Sequence, residues 1–254
     1  MIQLDLSKQS ILVTGASDGI GKEIAHFLMK MGARVAVHYH QNQKAAENLV
    51  EQFQDTGSKI FKADFFNPSE IEELWQQVLR EFDKIDAIVL NAGVFLKQPI
   101  IDPITDWFQI WKRTMAINLD AAALLTKLGI DHFKNMGQGR FIYIGSRAVF
   151  RGETEEYLAY AASKGGLVSL GRSVARSFGK MNIKSFILSP GFTKTKMAEQ
   201  FISDHGEDRI LKELALNRLT LPEDMSPLVG LMCSGLMDHA TGATIDVNAG
   251  SHIR

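Results

Sequence analysis

The sequence predicts an α/β fold: a doubly wound, parallel, seven-stranded sheet with helices on both faces. Three observations point there. Short β-branched runs recur between longer segments of helical period. Most of these runs are apolar on consecutive positions, as in Ile85 to Leu90, the pattern of a parallel strand covered on both sides. The first run also passes directly into a glycine-rich turn and a helix, the opening unit of a doubly wound sheet.

Seven strands are expected at Ser10 to Thr14, Arg34 to His38, Lys59 to Asp64, Asp86 to Asn91, Arg140 to Ile144, Lys184 to Ser189 and Ala243 to Val247. After the first, Lys22 to Met31 puts Ile24, Ala25, Leu28 and Met31 on one helical face. After the second, Asn42 can cap a helix striped by Ala45, Leu49, Val50 and Phe53, and Gly57 stops it. Asn67-Pro68 opens the next helix, in which Ile71, Leu74, Trp75, Val78 and Phe82 follow core-facing spacing. Ile104, Phe108, Trp111 and Met115 form another stripe leading into Asn118, and Leu167, Leu170, Val174 and Phe178 continue a helix starting near Tyr157. With no linker, repeat or low-complexity tract, residues 1–254 read as a single domain. An amphipathic segment at about 196–221 departs from the strand-helix rhythm and reads as a substrate lid.

Composition narrows the function classes. A chain of 254 residues can bury a substantial core, and 45% apolar with 22% charged residues is an ordinary globular balance. A net charge of -1 argues against a general nucleic-acid surface. The single Cys233 forms no intramolecular disulfide, Met1 to Gln9 lacks the regions of a secretion signal, and Asn91 and Gly93 interrupt the longest apolar run, Ile88 to Leu96. The expectation is a cytoplasmic protein with neither a membrane nor a nucleic acid as partner, and no metal at its site.

Two stretches carry chemistry. Tyr160 precedes Lys164 by one helical turn, with Ser146 fourteen residues before the tyrosine. A phenol with a pKa of about 10 exchanges protons poorly near neutrality, and an ammonium on the same helix face would draw that pKa downward. At the other end of the fold, Gly15-Ala16-Ser17-Asp18-Gly19-Ile20-Gly21 sits between strand and helix. There glycines permit a tight turn and the approach of a pyrophosphate to the helix N-terminus. Tyr157 competes for the proton-transfer role but has Ala161, not lysine, four residues on.

The spacing of Gly15, Gly19 and Gly21 resembles the glycine motif of the short-chain dehydrogenase/reductase family, and the resemblance extends along the chain to its 3-oxoacyl carrier-protein reductase-like members. It implies a Rossmann-type fold that transfers a hydride between a nicotinamide and a carbonyl or secondary alcohol. Asn118, Ser146, Tyr160 and Lys164 match the catalytic tetrad. By that match Tyr160 is the acid/base, Ser146 binds the substrate oxygen, Lys164 binds the nicotinamide ribose and lowers the tyrosine pKa, and Asn118 holds a water behind Lys164. Asn91-Ala92-Gly93 matches the adenosine side, Asp64 the acid near the adenine, and Pro190-Gly191 with Thr193 and Thr195 the nicotinamide side; Ser17, Asp18 and Ile20 belong to the phosphate turn.

The end of the second strand bears on the cofactor. His38-Tyr39-His40-Gln41-Asn42 has no carboxylate to bind an NAD ribose diol and resembles the loop of pteridine reductases, in which it faces the NADP phosphate. His38 and His40 are therefore expected at the cofactor, and NADP is favoured over NAD. Against this, Asp18 occupies a position that is often basic in NADP-dependent members, and Gly19 stands where pteridine reductases carry arginine.

The leading expectation is an NADPH-dependent carbonyl reductase, with 3-oxoacyl thioesters among its possible substrates. The alternatives are an NAD(P)-dependent alcohol or sugar dehydrogenase, a pteridine reductase, or a dinucleotide-binding regulatory protein without turnover. Arg147 and Arg151 lie close enough to Ser146 to meet an acidic substrate, but pairing with Glu153, Glu155 or Glu156 is the stronger expectation. Phe150, Phe192, Met197 and Phe201 are candidates for an apolar pocket. His132, Lys134, Arg172 and Arg176 form a candidate carrier-protein patch. The resemblance also implies a homodimer or homotetramer on those helices, with Gly166 and Ser169 admitting a partner helix and Ala249, in place of a frequent glycine, altering subunit contacts.

Overall fold

A computed structural model describes residues 4–195, 198 and 206–253. Its sheet contains β1 (Ser10–Val13), β2 (Arg34–Tyr39), β3 (Lys59–Lys62), β4 (Ala87–Leu90), β5 (Gly139–Ile144), β6 (Ile183–Pro190) and β7 (Thr244–Val247), in the order β3-β2-β1-β4-β5-β6-β7. Every neighbouring pair is parallel, so each connection crosses a face of the sheet. The order reverses between β1 and β4. In open α/β sheets the crevice at that reversal, outside the carboxyl ends of the strands, is where ligands bind.

The helices follow as α1 (Gly19–Lys30), α2 (Gln43–Glu51), α3 (Pro68–Phe82), α4 (Ile104–Met115), α5 (Ala121–Met136), α6 (Ala148–Arg151), α7 (Leu158–Phe178), α8 (Glu207–Leu211) and α9 (Ser226–Ser234). Two apolar layers hold them to the sheet. On one face Ile24 and Leu28 of α1, Leu49 of α2 and Val229 of α9 pack with Ile11, Val13 and Val35. On the other, Leu74 and Val78 of α3, Leu125 of α5 and Leu167 of α7 pack with Leu12, Ile88 and Phe141. Burial on both faces explains the unbroken apolar strands: all residues of β1, β4 and β5 are buried.

Local signals act where their chemistry requires. Asn42 caps α2 by accepting from the Ala45 amide at 3.2 Å, although the helix ends at Glu51, and Gly57, at φ 70°, terminates a following short turn instead. Pro68 occupies the first position of α3, whose Ile71, Leu74, Trp75, Val78 and Phe82 are all buried. The α4 stripe behaves differently: Ile104 and Phe108 are 75% and 46% exposed, next to exposed Ile100 and Ile101. Among the described residues no helix is long and apolar enough to cross a membrane.

Part of the expected lid, 196–197 and 199–205, lies outside the described residues, as do Met197 and Phe201. The rest carries α8 and a turn that returns to the body of the fold. Thr220 there makes a parallel bridge with Thr193, and the Ala215 amide donates to the Ala249 carbonyl at 2.8 Å. Ala249 has φ 52°, a left-handed conformation that costs an L-residue about 1–2 kcal/mol and that glycine adopts freely. The glycine preference at this position thus has a backbone cause. At Gly166 an added Cβ would come within 2.7 Å of Leu119, so its small size serves packing within the chain.

Candidate active site

The residues expected to transfer the proton gather where β5 stops. Ser146 follows the strand, and its Oγ accepts from the Ala148 amide at 3.1 Å, which leaves the hydroxyl proton to donate. Tyr160, on α7, lies close enough to Ser146 for the serine hydroxyl to act on the phenol. One turn on, Lys164 Nζ donates to the Ile144 carbonyl at 2.8 Å and is 4% exposed. Ser146, Tyr160 and Lys164 therefore stand together, as their sequence positions imply.

Asn118 lies in a π-helical stretch, Ala116–Asp120, between α4 and α5. Such wide turns inside helices frequently occur at functional sites. Its Oδ1 accepts from the Val94 amide at 2.7 Å, while Nδ2 donates to the Val94 carbonyl at 3.0 Å and to Ser163 Oγ at 3.1 Å. The Ser163 hydroxyl in turn donates to the Tyr160 carbonyl at 2.8 Å. Asn118 thus ties the loop after β4 to the turn of α7 that presents both Tyr160 and Lys164.

The electrostatics depart from expectation. Burial pushes the Tyr160 phenol up to about 12, with Ser146 opposing the rise and the Glu153 charge adding to it. Burial also pushes Lys164 down to about 8. Lys164 Nζ lies 6.0 Å from the Tyr160 ring centre and is directed to a backbone carbonyl, so burial, not this charge, sets the direction of the phenol pKa in this arrangement. Removal from water outweighs the charge.

The phosphate turn is clamped between β1 and β4. Thr14 Oγ1 accepts from the Asn91 and Ala92 amides at 2.9 and 3.0 Å, and Asn91 Nδ2 donates back to the Thr14 and Gly15 carbonyls at 2.9 and 3.1 Å. Gly15 and Gly19 adopt φ 63° and 52°, and a Cβ on Gly15 would approach Ala92 Cα to 2.9 Å. Ser17 precedes Asp18, which caps α1 by accepting from the Gly19 amide at 2.7 Å; Ile20 and Gly21 lie in the first helical turn, which has no acidic residue. Gly93 leaves open the position where a Cβ would lie 3.2 Å from Asn118 Oδ1 and 3.5 Å from Lys164 Nζ. The N-terminal amides of α1, which would favour an anion, together with the Lys164 ammonium and the Tyr160 hydroxyl, suit a nicotinamide dinucleotide.

The segment after β6 crosses toward this turn. The Gly191 amide donates to the Val247 carbonyl at 2.9 Å, and a Cβ on Gly191 would meet Asn248 Cα at 2.6 Å. Thr193 Oγ1 donates to the Gly191 carbonyl at 3.1 Å, and the Thr195 methyl lies 3.3 Å from where a Gly19 Cβ would stand. The chain from Pro190 to Thr195 thus spans the distance from β6 to the glycine turn.

At the end of β2, where the cofactor phosphate was expected, His38 is placed inward. Its Nδ1 accepts from the Gly15 amide at 2.9 Å, Nε2 meets the Ala63 carbonyl at 3.1 Å, and the ring stacks on Phe65 at 4.1 Å. With both nitrogens engaged and the residue 2% exposed, His38 shapes the glycine turn and does not meet a phosphate. Tyr39 is buried as well. His40 remains at the surface, its Nε2 lying 3.6 Å from Asp64. Asp64 lies just past β3, where Oδ1 accepts from the Phe66 amide at 2.9 Å.

Some participants had no sequence signal. Phe95 stacks face to face on Tyr157 at 3.8 Å and edge-on against Tyr160 at 4.7 Å, so Tyr157 is a packing residue. Arg147 and Arg151 both meet Glu213, 3.5 and 2.9 Å away, although their expected partners were nearer in sequence. His132 Nε2 contacts the backbone of Ile85 at 3.1 Å and Arg172 donates to Thr244 at 3.1 Å, so two members of the expected basic patch have partners within the chain. Among the described residues no three His, Cys, Asp or Glu side chains are grouped to hold a metal.

Comparison with known proteins agrees with this geometry. Residues 15–252 match the family described as enoyl-(acyl carrier protein) reductase. The chain is 28% identical to 3-oxoacyl-(acyl-carrier-protein) reductase FabG of Vibrio cholerae, over 98% of this chain and 100% of that protein. It is 27% identical to an L-rhamnose 1-dehydrogenase (NAD(P)(+)) of Sphingomonas, over 98% of each. The solved structure of a candidate NAD(P)-dependent gluconate 5-dehydrogenase from Beutenbergia cavernae, with NADP bound at low occupancy, superposes with a TM-score of 0.89 at 25% identity, covering 98% of this chain and 99% of that one. A seven-stranded doubly wound sheet and this match over nearly the whole chain lead to one conclusion: the protein is an enzyme of the short-chain dehydrogenase/reductase family, an NAD(P)-dependent oxidoreductase.

Proposed function

We propose that this enzyme is an NADPH-dependent reductase of small-molecule carbonyls, working as one Rossmann-type domain with the segment at about 196–221 as its lid. The observation that carries the reading is the joint placement of Ser146, Tyr160 and Lys164 at the end of β5, braced by Asn118. When bound, the reduced nicotinamide supplies the hydride. Tyr160 Oη delivers its proton to the carbonyl oxygen as that oxygen becomes alkoxide, and Ser146 Oγ donates a hydrogen bond to the same oxygen. Lys164 stabilises the phenolate left behind and holds the nicotinamide ribose. Gly15, Ser17, Gly19, Ile20 and Gly21 receive the pyrophosphate; Asp64, Asn91, Ala92 and Gly93 line the adenosine side; Pro190, Gly191, Thr193 and Thr195 line the nicotinamide side.

NADP is favoured over NAD because no carboxylate stands at the end of β2, and because His40, unlike the buried His38, lies at the surface there. A pteridine reductase loses its support, since His38 and Tyr39 of the loop on which it rested are buried. The second reading is an NAD(P)-dependent alcohol or sugar dehydrogenase, favoured by the named activities of the Sphingomonas and Beutenbergia relatives. A cytoplasmic homodimer or homotetramer completes the proposal; exposed Ile101, Ile104 and Phe108 support association.

Initial rates with NADPH and NADH test the reading, over a carbonyl panel that includes 3-oxoacyl thioesters with and without carrier protein, and with the matching alcohols in reverse. NADPH-driven carbonyl reduction is expected. Oxidation of sugars with NAD alone would transfer the assignment to the second reading.

A further inference from the structure

Beside the proton-transfer groups is a cationic side chain with a poor set of partners. Arg147 follows Ser146 directly, and its amide donates to the Pro190 carbonyl at 2.9 Å, which fixes its backbone at the nicotinamide side. Its side chain is only 6% exposed. A guanidinium offers five donors, and burying it is costly unless they are satisfied. Here the Nη1 atom is buried without a hydrogen-bond partner among the described residues. Nη2 reaches Glu213 Oε2 at 3.5 Å, too long for a strong charged hydrogen bond, because the same oxygen takes a 2.9 Å bond from Arg151 Nη1. Glu153, the other carboxylate facing this pair, also acts on Tyr160 through its charge, which places the cluster within electrostatic range of the proton donor.

Among the described residues the cluster is short of acceptor oxygens, and the residue with the unmet donor is the one next to Ser146. A purely structural ion pair would give its best geometry to the buried arginine. Instead Glu213, from the turn after α8, favours the more exposed Arg151, which is 32% exposed. We propose that Arg147 binds a carboxylate carried by the substrate itself, so that the substrate class of this site is the oxo acids and the corresponding hydroxy acids. A planar carboxylate accepts two parallel N–H bonds from a guanidinium, supplying Nη1 with its acceptor and replacing the long contact to Glu213. Arg147 then orients the molecule with its carbonyl toward Ser146 and Tyr160. The inference rests on the carbonyl-reductase reading and adds the substrate's charge to it.

The test uses acetoacetate, 4-oxopentanoate and 5-oxohexanoate, each against its methyl ester, so that only the charge changes within a pair and the carbonyl-to-carboxylate distance changes between pairs. Binding is measured by isothermal calorimetry with oxidised cofactor present, where ketones do not turn over, and kcat/KM is measured with NADPH. At least one acid is expected to bind about tenfold or more tightly than its ester, and Arg147→Met to remove that preference while changing ester binding less than about twofold. Glu213→Gln leaves Arg147 in place and removes the competing carboxylate, so acid binding is expected to tighten. The proposal is overturned if acids and esters bind alike, or if Arg147→Met weakens both equally. The two readings fail separately: Arg147-dependent acid binding without reduction of any carbonyl counts against the reductase reading, and ester reduction without an acid preference counts against the role of Arg147.

Discussion

The Gly15 amide donates to Nδ1 of His38 across 2.9 Å, coupling the phosphate turn after β1 to the interior of β2. Since Nδ1 accepts, the ring carries its proton on Nε2, which donates to the Ala63 carbonyl at 3.1 Å. The neutral ring therefore satisfies both neighbours, and a second proton would displace the Gly15 amide.

Stability should follow that proton. Burial depresses His38 from 6.5 to about 4. Between those values the unfolded chain binds more protons, so the His38 contribution is fully present above about pH 6.5 and is lost as pH falls toward 4, up to roughly 3 kcal/mol. Urea unfolding at pH 5 and pH 7 should show this difference in the wild type and a flatter one in His38→Asn. Equal slopes in both proteins would remove His38 from the account.

Asn118 gives a second prediction. Its amide makes three hydrogen bonds from a residue 1% exposed, so Asn118→Ala leaves the Val94 amide and carbonyl without their partner. A loss of about 2–4 kcal/mol is expected in urea unfolding, with weaker cofactor binding by fluorescence titration as the loop holding Gly93 loses its brace. A variant as stable as wild type would show that water or a repacked side chain replaces these bonds.

The pH profile of reduction should report Lys164 before Tyr160. The phenol, pushed up to about 12, stays protonated across the working range, whereas burial brings Lys164 to about 8. A phenolate formed beside a neutral lysine is less stabilised, so kcat/KM for reduction should fall as pH rises through about 8. A profile flat to pH 10 would contradict a role for the Lys164 charge.

How much of this could be read in the sequence depended on whether the signal was local. β-Strand positions were legible to within two residues, since strands buried on both faces are continuous apolar runs. Tyr160 and Lys164 were legible as a pair because one helical turn separates them, and Asn67-Pro68 because a proline opens a helix. Side-chain direction was not. His38 looks available when read as a strand-end residue, but β2 runs on to Tyr39 and both are buried. The partner of Arg147 and Arg151 is Glu213, on a segment that only the tertiary fold brings near. The direction of the Tyr160 pKa was not legible for a related reason: proximity to lysine is visible in the sequence, but enclosure is not.

The central claim is that Tyr160 Oη moves the proton while the rest of the crevice binds. Tyr160→Phe keeps the ring against Phe95 and removes only the ionisable oxygen. Its single-turnover rate of carbonyl reduction with NADPH, measured together with NADPH affinity, tests that claim most directly. Affinity within about twofold of wild type and a rate lower by about 100-fold or more are expected. A rate close to wild type would show that another group delivers the proton.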